Sequence, residues 1–141
     1  MPDVITTCRL TRETAGLLET IAEDVFDADI DARRLATYLE SPGHLMVVAV
    51  RGNQVIGQVA AYVHGHPDRA PDLYIDNLGV APPFQRRGVA RRLVEEVLAW
   101  GKTLGCDQAW IVTDTENTAA RALYEGLGAA AEPIVMFSYR L

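Results

Sequence analysis

The stretch DLYIDNLGVAPPFQRRGVARRLVEEVLAWGKTLG, residues 72–105, constrains the fold more than any other part of the chain. It opens as a β-rich run that stops at Pro82-Pro83, because proline has no N–H to give a ladder. A short turn, Gln85-Arg86-Arg87-Gly88, follows. Leu93, Val97, Trp100 and Leu104 then recur at helical spacing, and Gly105 supplies a C-cap. A strand delivered by a tight turn into an amphipathic helix requires that the helix pack back on a sheet. The expectation is a layered α/β or α+β domain.

The remaining elements fit that architecture. Residues 3–10 alternate as an edge strand, and Thr11 offers an N-cap to a helical pattern of Leu17, Leu18, Ile21 and Val25. Leu35, Tyr38 and Leu39 predict a second short helix, stopped by Ser41-Pro42-Gly43. The runs LMVVAV and QVIGQVAAYVH flank Gly52-Asn53 and read as a hairpin. After the long helix, AWIVT predicts a short central strand, Asn117 to Glu125 a further helix, and IVMFSYRL a closing strand. There are no repeats or linkers, so the 141 residues are expected to form one domain.

Charge narrows the function. The net charge of -6 disfavours general nucleic-acid binding, which depends on neutralising phosphates, and suits a cationic partner. Five carboxylates, Glu23, Asp24, Asp27, Asp29 and Asp31, crowd the junction of the first two expected helices. No apolar run approaches the roughly 18 residues of a membrane span, and MPDVITTCRL lacks the pattern of a secretory signal. A cytoplasmic location, with no membrane partner, is the expectation. Cys8 and Cys106 show no ligand spacing and are expected to be buried free thiols. His64 and His66 with Asp68 are not expected to bind a metal, since the side chains of an HxH in a strand point to opposite faces.

Against this acidity, residues 85–92 carry Arg86, Arg87, Arg91 and Arg92 at the start of a helix. A helix N-terminus presents unpaired N–H groups and partial positive charge, and a preceding glycine lets an anion approach the main chain. The ligand expected there is a pyrophosphate. No GKS or GKT follows and there is no GxGxxG, so nucleotide hydrolysis and dinucleotide redox lack support.

The strand, loop and helix of LGVAPPFQRRGVARRL resemble those of the GNAT superfamily of acyl-CoA N-acetyltransferases, whose loop pattern is Q/R-x-x-G-x-G/A. Gln85-Arg86-Arg87-Gly88-Val89-Ala90 meets it, and NTAARALYEGLG, residues 117–128, resembles the second family signature. The implied fold is a mixed, mostly antiparallel central sheet with helices on both faces. TCRL, AAYV, LYIDNLGV and VMFSYRL are most similar to the small aminoglycoside 3-N-acetyltransferases.

The resemblance implies acetyl-CoA as donor, a small and polycationic primary amine as acceptor, and a possible homodimer. Leu78, Gly79 and Val80 would run beside the pantetheine arm, with the Val80 N–H on the thioester oxygen. Gln85, Arg86, Arg87, Gly88, Val89, Ala90 and Arg91 would hold the pyrophosphate. Tyr124 would protonate the leaving thiolate, while Asn117 and Ala120 would border the cofactor arm. At the base the sequence departs from the family pattern. Many relatives carry Glu where Val112 stands, and the aminoglycoside relatives carry Asp where Asn77 stands. Asp76 is the candidate, its side chain expected on the face opposite Asn77, with Asp114, Glu116 or a water relay as alternatives. Two other functions fit the same residues: a protein N-terminal or lysine acetyltransferase, and a catalytically silent acyl-CoA-binding module.

Overall fold

The computed structural model describes residues 4–141, so the expected beginning of the first strand at residue 3 lies outside the described residues. In chain order the elements are β1 (Ile5–Arg9), α1 (Ala32–Glu40), β2 (His44–Arg51), β3 (Gln54–His64), β4 (Asp72–Val80), α2 (Val89–Thr103), β5 (Gln108–Ile111) and α3 (Thr118–Gly126). Strands β1 to β5 form one sheet in sequence order, antiparallel from β1 to β4 and parallel between β4 and β5.

Alternation along β3 separates two faces. On one face of β3, Gly57 and Val59 meet α2, where Val59, Leu93 and Val97 are wholly enclosed; a bulge at Ile56 turns Val55 to the other face. The even-numbered face carries Gln58 and Tyr62 and receives α1 together with the loop before it, through Tyr38 stacked on His44 and Gln58 bonded to the Val25 carbonyl. The expected mixed, mostly antiparallel sheet between helices is therefore the observed fold.

Three expectations fail for identifiable reasons. The first helix is reduced to a single 3-10 turn, Ala15–Glu19. The chain after it runs beside β3 instead, with the Val55 N–H on the Thr20 carbonyl and the Ala22 N–H on the Val55 carbonyl, so these groups are committed to the sheet. The strand within AWIVT is four residues long and borders the sheet rather than lying at its centre. Finally, IVMFSYRL forms no strand and is exposed along its length. Its apolar pattern is that of a strand, but no strand of the described chain pairs with it.

Candidate active site

The β4–β5 pairing covers only Asp72 to Ile75, opposite Gln108 to Ile111. β4 continues to Val80, so its last five residues, 76–80, run along an open gap. The direction of their polar groups follows from one bond: the Ala81 N–H donates to the Ile56 carbonyl, toward β3. Successive residues of a strand alternate sides, so the N–H groups of Val80 and Leu78 point into the gap. The Val80 carbonyl lies on that side too, where the Gln85 Nε2 donates to it at 3.0 Å.

Gly79 is required here by close approach. A Cβ at this position would stand 2.2 Å from the Val25 carbonyl oxygen, so the loop before α1 crosses directly over the glycine. That crossing fastens residues 24–31 beside the gap.

At the far end of the gap α2 begins. Its N-cap is Gly88, left-handed at φ 79°, with no side-chain cap. The first-turn N–H groups have no partner within the helix and point outward beside the gap. Arg86 also has positive φ, 62°, so the turn is tight on both sides. The arginines divide in role. Arg87 and Arg51 both place their guanidinium over the Phe84 ring, at 5.4 and 5.5 Å from its centroid. Arg91 pairs with Glu95, and Arg92 donates to the Ile5 carbonyl, tying α2 to β1.

On the opposite wall stands α3. Asn117 caps it, its side chain accepting the Ala120 N–H at 3.1 Å, while Arg121 donates to the Thr115 carbonyl. Tyr124 is half-buried, and burial raises its phenol pKa above the ordinary value, which keeps it protonated. It lines an apolar cavity of about 200 Å³ with Ile75, Val94, Leu98, Ala109 and Trp110. A larger cavity, about 360 Å³, lies elsewhere, among Arg9, Glu13, Tyr38 and His44, and holds none of the signature residues.

The carboxylates are arranged differently from the sequence expectation. The β3–β4 register slips between Ala60–Asn77 and Ala61–Ile75, which leaves Asp76 as an extra residue in a bulge. Asp76 therefore shares the even-numbered face with Asn77 instead of opposing it. Its charge interacts with His44 and Tyr38, and burial raises its pKa above the usual carboxylate value. Tyr38 itself is pushed up to about 12, mainly by burial. Asn77 links two further groups, donating to Asp27 Oδ2 at 3.1 Å and accepting from Gln58 Nε2 at 2.6 Å. A single hydrogen-bonded line thus runs from one residue of the acidic cluster to the floor of the sheet. Asp31 has a local task, capping α1 through the Arg34 N–H. Asp114 and Glu116 precede α3, on the connection from β5.

The residues first considered for a metal are also rearranged. His64 and His66 lie 4.4 Å apart, ring to ring, and Asp72 rather than Asp68 completes their cluster. His66 pairs with Asp72, whose other oxygen accepts the Trp110 indole N–H at 2.7 Å. Arg69 Nη2 sits 3.1 Å from His66 Nε2, so a guanidinium occupies the side a metal would approach. The cluster acts as a clip across the β3–β4 turn. Trp110, in the strand expected at the sheet's centre, is partly exposed and stacks on Tyr74 at 4.3 Å. Trp100 lies under the Arg9 guanidinium. The two cysteines are free and half-buried.

Comparison with known proteins agrees with this geometry. The acetyltransferase (GNAT) family model matches residues 12–129. Aminoglycoside N(6')-acetyltransferase type 1 of Salmonella typhimurium is 34% identical over 76 residues, covering 54% of this chain and 52% of the relative. The chain thus spans about half the length of the curated relatives it matches. Among solved structures, the aminoglycoside acetyltransferase meta-AAC0020 from an uncultured soil metagenomic sample, in complex with trehalose, superposes with a TM-score of 0.83 at 21% identity over 97% of this chain and 96% of that one. AAC(6')-Iy in complex with the bisubstrate analog CoA-S-monomethyl-acetylneamine gives 0.79 at 22% identity, over 98% and 99%. At these identities the likeness shows the fold. The named aminoglycoside relatives are of the 6' type where a position is given.

Proposed function

The chain belongs to the acetyltransferase (GNAT) family, and on that premise we propose that it transfers the acetyl group of acetyl-CoA to a primary amine of a small, cationic acceptor. The observation that carries this reading is the unpaired end of β4, where the Val80 and Leu78 N–H groups face an open gap that leads to the N-terminus of α2. An extended pantetheine arm fits such a gap as an added strand would. The pyrophosphate then meets the first turn of α2, and the thioester oxygen meets Val80.

Attack by a neutral amine forms the C–N bond and places negative charge on that oxygen. A fixed backbone donor stabilises this charge without reorganisation. Collapse breaks the C–S bond, and the Tyr124 hydroxyl supplies the proton taken up by the departing sulfur. The proton lost by the amine passes to a carboxylate on the even-numbered face, and Asp76 is assigned that role, with Asp27 held by Asn77 as the charge that draws in the amine. An acidic rim also concentrates a polycation electrostatically, an effect screened by salt beyond about 8 Å.

The deciding experiment measures free-thiol release from acetyl-CoA with a panel of amines, beside a thermal-shift measurement with coenzyme A. The expected result is amine-dependent thiol release, together with stabilisation of about 2.7 kcal/mol at a hundredfold over the dissociation constant. Stabilisation without thiol release from any amine or peptide would make the protein a silent acyl-CoA-binding module. Release with peptides alone would place the acceptor among proteins. For the base, Asp76→Asn removes the rise of rate with pH that accompanies deprotonation. Because burial raises the Asp76 pKa, that rise is expected at higher pH than for an unperturbed aspartate. An unchanged profile excludes Asp76.

A further inference from the structure

β3 ends at His64, and an irregular connection, residues 65–71, leads to the start of β4 at Asp72. Within a strand the rings of His64 and His66 would point to opposite faces, but His66 lies past the last residue of β3 and escapes that rule. Its ring turns back beside that of His64. A nitrogen of each ring and a carboxylate oxygen of Asp72 all lie within 4.8 Å of one another. The expected separation of the two histidines is therefore reversed.

Two contacts give this cluster the character of a ligand set. The Asp72 carboxylate is fixed by its far oxygen: Oδ2 accepts the Trp110 indole N–H, which leaves Oδ1 turned to His66. Carboxylates that ligate a metal are themselves hydrogen-bonded in this manner. The second contact is a conflict. His66 Nε2 faces both Asp72 Oδ1, an acceptor, and Arg69 Nη2, a donor at 3.1 Å. A ring nitrogen either carries a proton or offers a lone pair, so one of these neighbours always meets it with the wrong sign. A metal ion resolves the conflict, because it takes the lone pair and the carboxylate together. Arg69 is exposed, on the irregular connection, so its guanidinium is free to swing into solvent.

We propose that His64, His66 and Asp72 bind a divalent transition-metal ion of the zinc class, with Arg69 competing for the same seat. Two imidazoles and one carboxylate suit such an ion, at about 2.0–2.2 Å, with water completing a tetrahedron. Calcium and magnesium, which take oxygen ligands, fit this set poorly. His66 draws back from the carboxylate to admit the ion. The ion would join the end of β3 to the start of β4 and, through Trp110, to β5. The β4–β5 pairing begins there, at Asp72 and Gln108, so the metal would secure the closed end of the fork whose open end is the gap. Its role is structural, and the proposal stands whether or not the catalytic reading holds.

Titration calorimetry of the untagged, chelator-washed full chain with zinc chloride tests it. The expected result is one ion per chain, displacement of the His64 and His66 ring-nitrogen resonances, and slower amide exchange at Gln108–Ile111. His64→Ala should lower zinc affinity at least about tenfold, and Trp110→Phe, which releases the carboxylate, about tenfold. Arg69→Ala should raise it several-fold, because a positive charge no longer opposes the ion. That variant keeps every ligand in place, so it decides the matter even if the others misfold. Absence of binding up to about 100 µM zinc overturns the proposal. So does binding that leaves both ring resonances unmoved, which would put zinc on the acidic run or the cysteines. A zinc affinity unchanged or lowered by Arg69→Ala overturns it as well.

Discussion

The chain before and after Gly101 is built on different terms. Up to that residue, side chains such as Val47, Val55, Leu93 and Val97 are fully enclosed between α2, the sheet and the elements that cover it; after Gly101 no described residue is buried. The first region holds the gap, the glycine turn and the arginines. The second holds Asn117 and Tyr124, positioned by four residues of parallel pairing, the Trp110–Tyr74 stack and the Trp110–Asp72 bond. A packed platform therefore presents the backbone donors, which need fixed geometry, while the proposed proton donor sits on a wall held by little. On the proposed reading, binding of the donor supplies the rest of that wall's order.

The contrast can be broken most severely in the platform. Gly79→Ala drives a Cβ into the Val25 carbonyl, and displacing that loop should cost about 3 kcal/mol, at the upper end for overpacking. Chemical denaturation would show it as a lower midpoint with loss of coenzyme A binding. A wild-type midpoint would mean that the crossing loop is free to move. Tyr124→Phe, in contrast, should leave the midpoint in place and lower turnover by up to about a hundredfold. Unfolding in its place would make Tyr124 a packing residue and extend the platform into α3.

Gly88→Asp sharpens the boundary between the two. No atom lies within 4 Å of a Cβ built there, so its cost to the fold is limited to the left-handed φ, about 1 kcal/mol. Its negative charge faces the proposed pyrophosphate, and coenzyme A affinity should fall at least about tenfold. Unaltered affinity in the folded variant would falsify the loop's assignment. The smallest effect concerns the clip. Asp72 has its pKa lowered, first by the hydrogen bond from His66 and then by that from Trp110. A depressed carboxylate contributes stability present above its unfolded pKa and lost as pH falls through its folded one. Asp72→Asn should therefore flatten the acid limb of the stability profile slightly and loosen β5, read as faster amide exchange at Gln108–Ile111. An identical limb would leave the clip without energetic weight.

How far the sequence reached follows the same division. Patterns that depend on neighbours along the chain were readable: the β2–β3 hairpin, the proline stop, the turn at Gly88, and the helix that follows Asn117. What escaped depended on partners far away in sequence. The apolar spacing of Leu17 to Val25 is helical, but Val55 takes the backbone groups of Thr20 and Ala22. Asp76 and Asn77 should alternate, and a one-residue bulge against Ala60 and Ala61 cancels the alternation. The line from Asp27 through Asn77 to Gln58 joins three strand and loop residues with no local signal. IVMFSYRL has the composition of a strand, but no strand of the described residues pairs with it.

The Gln85 side chain, bonded to the Val80 carbonyl, has a bearing on what the site measures. It braces the turn that would receive the phosphates against the strand end that would receive the thioester, so the interval between them becomes a fixed gauge. A donor is then matched by length as well as by charge. Short acetyl thioesters that lack the nucleotide would reach Val80 without being aligned by it, and binding energy from the distant phosphates, spent on that alignment, would be missing from the rate itself and not from affinity alone.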